Sequence, residues 1–305
     1  MAVTIDLLQR KLTSFVLWRP NGDPTPPVLI IGQFQFGNPN SLINKQTVPL
    51  VQVAGISGLW QKPASACGLV DGQVYHYWFE VKDTNPHGTA GQAFQISDPA
   101  AFMVDWRLLA PKLPNPYNDD DRQPASVIKF KNGQLVPCDP NGEEPVFAGE
   151  PTPDKLPVNR QIVIYELPAA WTCAQPEEHD VGTFQDVLAM IVKSASGANF
   201  ADSPVTQPGR AYLLDLGINA LELLPPADSF FKREWGYDTS HYLAPDFELG
   251  FPTANAFPTP NKDLAALVNA CHQNGIRFFI DVVMAFSRNE PYAHADFNDF
   301  CIEFD

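Results

Sequence analysis

Basic side chains are scarce in this chain: 20 lysines and arginines stand against 35 aspartates and glutamates, a formal net charge of −15. That field repels phosphate backbones and anionic lipid surfaces, so neither nucleic acid nor a membrane is expected as a partner. A neutral ligand is compatible with it. Cysteine is also sparse. The five, Cys67, Cys138, Cys173, Cys271 and Cys301, are odd in number, far apart and without a Cys-x-x-Cys spacing. They outline no disulfide framework and no zinc site, and no cofactor is expected. Long apolar runs are missing as well. No stretch reaches the roughly 18 apolar residues of a spanning helix. The first residues meet Asp6 and Arg10 before a run of signal-peptide length can form, so a cytoplasmic location is expected.

What is present suits a packed protein of about two domains: 305 residues, 45% of them hydrophobic. From Thr13 to Trp106 short β-prone runs (Ser14 to Trp18, Val28 to Phe36, Thr47 to Val53, Gln73 to Lys82) alternate with turn residues. That spacing predicts an antiparallel sandwich over residues 1–110. In the last run Tyr75, Tyr77, Phe79 and Val81 occupy alternate positions and are expected in the core. Trp78 then lies on the outer face, either exposed for stacking on a sugar ring or packed against the second domain.

Residues 111–157 hold ten of the chain's 30 prolines together with Asp119-Asp120-Asp121 and two Asn-Gly turns. Proline removes backbone donors and fixes φ, so this stretch reads as a linker with a short hairpin around Asn132-Gly133. Beyond it the pattern becomes strand, helix, strand, helix, strand. Gln161 to Leu167, Ile218 to Leu224 and Ile276 to Met284 are nearly continuous apolar runs of strand length, as parallel strands covered on both faces require. Gly182-Thr183-Phe184 opens the first helical stretch, and Gly217 can close its second part in the left-handed conformation. Asn261 is placed to cap a helix whose Leu264, Leu267, Val268 and Cys271 form one apolar stripe, ended by Gly275. The pattern alone allows a barrel or an open sheet.

Three segments in order resemble the α-amylase superfamily, glycoside hydrolase family thirteen, especially its trehalohydrolase and glycogen-branching-enzyme members. They are IYEL at 164–167, LGINALELLP at 216–225 followed by WGYDTSHYLAP at 235–245, and NGIRFFIDVV at 274–283. YHYWFEV at 75–81 with SDPAA at 97–101 is similar to the E-set module, an immunoglobulin-like sandwich that precedes many such barrels. The resemblance implies an N-terminal immunoglobulin-like β-sandwich followed by the first part, about three βα units, of a TIM (β/α)8 barrel over 158–305. Its partner would be an α-glucan or maltooligosaccharide.

In such barrels the site lies at the C-terminal ends of the strands. Tyr237 matches the family's stacking tyrosine, with Trp235, Asp238 and His241 as weaker substrate-binding candidates. Asp281 matches an aspartate with a supporting role. After it the family continues Asp-Val-Val-aromatic-Asn-His, whereas this chain reads Asp281-Val282-Val283-Met284-Ala285-Phe286. Ala285 and Phe286 cannot supply the oxygen ligand or ring nitrogen of that pattern, so calcium is not expected there. A complete barrel takes about 250 residues, more than lie between Gln161 and Asp305. The family's nucleophile, acid/base and third acid follow later strands, so no catalytic residue is assigned. The expectation is the front part of a hydrolase or glucanotransferase, inactive by itself. The alternative is a noncatalytic carbohydrate-binding or scaffolding protein on a degenerate barrel.

Overall fold

The alternation at 74–82 is realised as a strand whose two faces are both covered. In the computed structural model, which describes residues 6–147, 151, 153–171, 182–192, 211–230, 236–250, 257–285 and 287–301, the chain divides into two units. One comprises residues 1–142 with 288–305, the other residues 143–287.

The first unit begins with helix α1 (Leu7–Lys11), whose N-cap Asp6 accepts a bond from the Gln9 N–H. Strands β1 (Ser14–Trp18), β2 (Val28–Gln35), β3 (Ser41–Pro49), β4 (Val51–Gln52) and β5 (Leu59–Pro63) follow. Then come β6 (Val74–Lys82), β7 (Ala93–Ile96), β8 (Val104–Leu109), β9 (Pro124–Lys131) and β10 (Gln134–Val136). All pair antiparallel. One three-stranded sheet has the order β1-β5-β4. A seven-stranded sheet runs β10-β9-β6-β2-β3, with β7 on β6 and β8 on β9. Phe15, Leu17 and Trp60 of the smaller sheet share a core with Leu29, Ile31, Tyr75, Tyr77, Phe79 and Val81 of the larger. The Tyr77 hydroxyl donates to Asp98 at 2.8 Å, and the same carboxylate pairs with Lys11, so the SDPAA segment closes a buried charge.

Trp78 is not an exposed platform; it is buried by residues of its own unit. It is 4% exposed and packed among Ile30, Leu108, Ala110 and Ala125. Its indole N–H donates to the Gln123 carbonyl at 3.2 Å. The cover comes from Leu108 and Ala110, at the irregular end of β8 and just past it, together with Ile30 and Ala125 on neighbouring strands, which alternation within β6 could not reveal.

The proline-rich stretch also differs from a linker as far as residue 142. Within it β9 lies between β6 and β10 in the larger sheet, and Pro124 opens the strand instead of interrupting it. Asn132 and Gly133, with φ of 51° and 77°, make the β9–β10 turn with both central residues left-handed.

The stretch read as barrel to its end departs from that reading at Arg288. Helix α5 (Tyr292–Phe300) belongs to the first unit. His294 Nδ1 pairs with Asp83 at 3.0 Å, and the fully buried Arg19 donates through Nε to the Ala295 carbonyl at 2.9 Å. Asp296, also fully buried, accepts from the Asn21 N–H at 2.8 Å. Burial, with Asp299 beside it, raises its carboxyl to about 6. A raised carboxyl favours the folded state below its unfolded pKa, near 3.8, and that contribution is lost as pH climbs through about 6. Asp296→Asn should therefore flatten the fall in melting temperature between pH 4 and pH 7. A pH profile identical to the parent's would show that Asp296 does not titrate in this range.

In the second unit β11 (Ile164–Leu167) is followed by α2 (Phe184–Ala189) and α3 (Tyr212–Leu216). Strands β12 (Ala220–Leu223), β13 (Ala227–Ser229) and β14 (Thr239–Pro245), helix α4 (Pro260–Gln273) and strand β15 (Arg277–Ile280) complete it. The three strands expected to be neighbours are neighbours, parallel and in the order β11-β12-β15. Thr183 and Asp186 form a capping box at α2, and Gly217 is left-handed after α3. The cap of α4 is Thr259 with Pro260 in the first turn, not Asn261, which lies inside the helix. Leu267 and Cys271 of α4 meet Phe184 and Val187 of α2 and Leu221 and Leu223 of β12 in one core. Burial pushes the Cys271 thiol up to about 12, so it packs as a small apolar group. Cys67 and Cys271 are free thiols; Cys173 lies outside the described residues. Among the described residues no helix is long and apolar enough to cross a membrane.

Candidate functional site

Register fixes which residues reach the C-terminal ends of the parallel strands. Leu167, Leu223 and Ile280 lie side by side in the last row. Asp281 follows at once, its N–H donating to the Leu223 carbonyl at 3.1 Å. Its side chain is half-buried at that end of the sheet. One row earlier Glu166, Glu222 and Phe279 are neighbours. On the opposite face Tyr165, Leu221 and Phe278 pack toward the helices.

Past β12 the chain turns at Pro225-Pro226 into β13 and later returns as β14, pairing antiparallel with it. The returning turn is Gly236–Asp238. Gly236 has φ of 72°, and a Cβ there would stand 2.1 Å from the Pro225 carbonyl oxygen. Only glycine permits that approach. The turn is thereby held against the residue just beyond β12, and the Thr239 hydroxyl donates to the Gly236 carbonyl at 2.8 Å. Tyr237 and Asp238, both half-buried, therefore sit at the same end of the sheet as Asp281. Trp235, Glu234 and Phe286 lie outside the described residues.

His241 is completely buried. Its Nδ1 lies 3.0 Å from Asp228 Oδ2, and the Ser240 hydroxyl donates to the same oxygen at 2.5 Å. Asp246 completes the cluster, accepting from the Ser229 hydroxyl at 2.9 Å and the Glu248 N–H at 2.9 Å. Burial raises its carboxyl well above the usual range, and the charges of Asp228 and Glu248 add to the effect. Sequence reasoning missed Asp228 and Asp246. The available signal was an acid in the short Ala227–Ser229 run after Pro225-Pro226, where a solvated loop is the ordinary reading. Among the described residues no group of three or more His, Cys, Asp or Glu is placed to hold a metal ion.

No family model matches the chain. It is 24% identical over 288 residues to the 1,4-alpha-glucan branching enzyme GlgB of Rhodopseudomonas palustris (strain HaA2), covering 93% of this chain and 30% of that protein. The GlgB of Nitratidesulfovibrio vulgaris (strain Hildenborough) is 26% identical over 238 residues, 78% of this chain and 28% of the relative. Among solved structures, a pullulanase from Bacillus acidopullulyticus superposes with a TM-score of 0.54 at 16% identity, covering 95% of this chain and 30% of that one. The chain is a relative of the α-amylase superfamily. A pullulanase from Anoxybacillus sp. LM18-11 gives a TM-score of 0.53 at 18% identity, over 94% of this chain and 35% of that one. The chain thus spans roughly 30% of the length of the superfamily proteins it matches first.

Proposed function

We propose that this chain is the front part of an α-glucan-active enzyme of the α-amylase superfamily, a hydrolase or a glucanotransferase. On this reading residues 1–110 form the core of an E-set-like module, and β11, β12 and β15 are the first three strands of a (β/α)8 barrel. The observation that carries it is the convergence of Tyr237 and Asp281 on one end of a parallel sheet whose segments match the superfamily in order. That is the end where βα loops build sites in such barrels. Tyr237 serves as a stacking platform for a glucose ring, Asp238 follows it in the turn, Trp235 is a further sugar-binding candidate from the sequence, and Asp281 organises the strand ends. His241, buried against Asp228, supports the turn from beneath.

Retaining cleavage needs two carboxyl groups about 5–5.5 Å apart across the glycosidic bond. Neither Asp281 nor any carboxylate of the Asp228 cluster is assigned such a role, so binding without turnover is expected. The test is incubation of the purified chain with maltooligosaccharides: saturable binding with no release of reducing sugar supports the reading. Reducing sugar that scales with pure protein would place catalytic groups within these residues and contradict it. A second reading, a noncatalytic glucan-binding protein, is favoured by Ala285, exposed where the superfamily pattern has an oxygen-bearing side chain.

A further inference from the structure

The β13–β14 hairpin is poorly specified by its backbone. Its three Cα pairs, Ala227 with Pro245, Asp228 with His241 and Ser229 with Thr239, are separated by a register shift at each step. A ladder this short and irregular leaves the place of the returning strand to be set by side chains and turn geometry more than by a run of backbone pairs. Yet β14 starts two residues after Tyr237, so any slip in β14 moves the tyrosine.

The side chain of Asp228 supplies what the ladder lacks. It is fully buried, and Oδ2 receives both the Ser240 hydroxyl at 2.5 Å and His241 Nδ1 at 3.0 Å, two consecutive residues of β14. Oδ1 faces the Phe247 N–H at 3.4 Å, beyond the far end of the same strand. The Ser240 hydroxyl also lies 3.1 Å from the Asp228 carbonyl oxygen. One residue thus grips β14 at its start and just past its end. On the other side of Tyr237, Gly236 is fixed by its close approach to Pro225. The tyrosine hangs between these two anchors.

We infer that Asp228 is a positioning residue for sugar recognition: through Ser240 and His241 it sets the place of the Gly236–Asp238 turn and hence of the Tyr237 ring, without touching the ligand. This rests on the α-glucan reading above. It assigns a buried carboxylate that stacking alone does not use. Asparagine in its place keeps the shape but loses the charge, and its amide nitrogen cannot accept, so one of the two bonds at Oδ2 or the Phe247 contact must go.

The test is a double-mutant cycle with maltoheptaose as the probe, measured by calorimetry on Asp228→Asn, Tyr237→Ala and the pair. Acting through the tyrosine, Asp228→Asn should weaken binding about tenfold in the parent and less than about twofold where Tyr237 is already alanine. Equal losses in both backgrounds, or none in a folded variant, would overturn the inference while leaving the glucan reading intact. Should Asp228→Asn fail to fold, Ser240→Ala removes one tie alone and is judged by the same non-additivity. A sugar-free readout separates the two ideas. In the folded variant the ring resonances of Tyr237 should shift and broaden while those of Tyr75 in the other unit stay put. Unchanged Tyr237 signals overturn the positioning role, whereas shifted signals with no maltoheptaose binding by the parent overturn only the choice of ligand.

Discussion

Trp78→Ala should destabilise the first unit by about 3–5 kcal/mol, the range for deleting a fully buried aromatic. Ile30, Leu108, Ala110 and Ala125 surround the indole, and a cavity left beneath β8 cannot collapse without moving a strand paired to β9. Trp78→Phe should lose less, since most of the ring volume remains and the Gln123 carbonyl still receives the Ala110 N–H at 2.7 Å. Urea unfolding of the three proteins decides this. An exposed sugar-stacking tryptophan would give an alanine variant within about 0.5 kcal/mol of the parent, which would contradict the packing described here.

The second large effect concerns Asp105. Its carboxylate is fully buried and receives Arg107 Nε at 2.8 Å, Arg107 Nη2 at 2.7 Å and His76 Nε2 at 2.9 Å. Burial by itself would raise its pKa, but the bonds from Arg107 and His76 outweigh that and hold it well below the ordinary value. Removing one partner of a buried ionic cluster costs about 3–5 kcal/mol, because the groups left behind stay desolvated. Asp105→Ala should therefore lose about that much stability at pH 7. A depressed carboxyl contributes stability above its unfolded pKa, here near 3.8, and loses it as pH falls through the folded value. The gap between parent and variant should accordingly narrow below about pH 4. A gap of the same size at pH 7 and pH 3 would show that the ionised carboxylate is not the source. The Arg107 guanidinium also lies 4.8 Å from the Phe34 ring centre, so part of its position survives by packing.

What the sequence disclosed and what it withheld separate along a physical line. The strands at 164–167, 220–223 and 277–280 were legible as nearly continuous apolar runs, but only the middle one is covered as that pattern implies: in the two outer strands Ile164 is 51% and Ile280 50% exposed, so apolar continuity marked the strands without fixing their cover. Gly217 and the Asn132-Gly133 turn were legible because left-handed backbone restricts which residues can stand there. Of the proposed site, the sequence pointed to Tyr237 and Asp281 through their place in segments that resemble the superfamily, and the roles given to them rest on that resemblance. The cover over Trp78, the docking of α5 and the grip of Asp228 on β14 all depend on chain segments that return from elsewhere. Alternation says which way a side chain points and nothing about what arrives on that side. Proline density misled for a related reason: Pro124 stands at the first position of β9, where its missing N–H removes no interior ladder bond.

The central claim is that an α-glucan is recognised at the turn bearing Tyr237, and titration calorimetry with maltooligosaccharide tests it most directly. Tyr237→Phe keeps the ring face and should retain most of the affinity. Tyr237→Ala removes the face and should lose about 1–3 kcal/mol, by analogy with the cost of removing an aromatic side chain beneath a stacked nucleic-acid base. Equal losses in the two variants would assign recognition to the hydroxyl, and a folded Tyr237→Ala protein that binds as tightly as the parent would contradict the platform altogether.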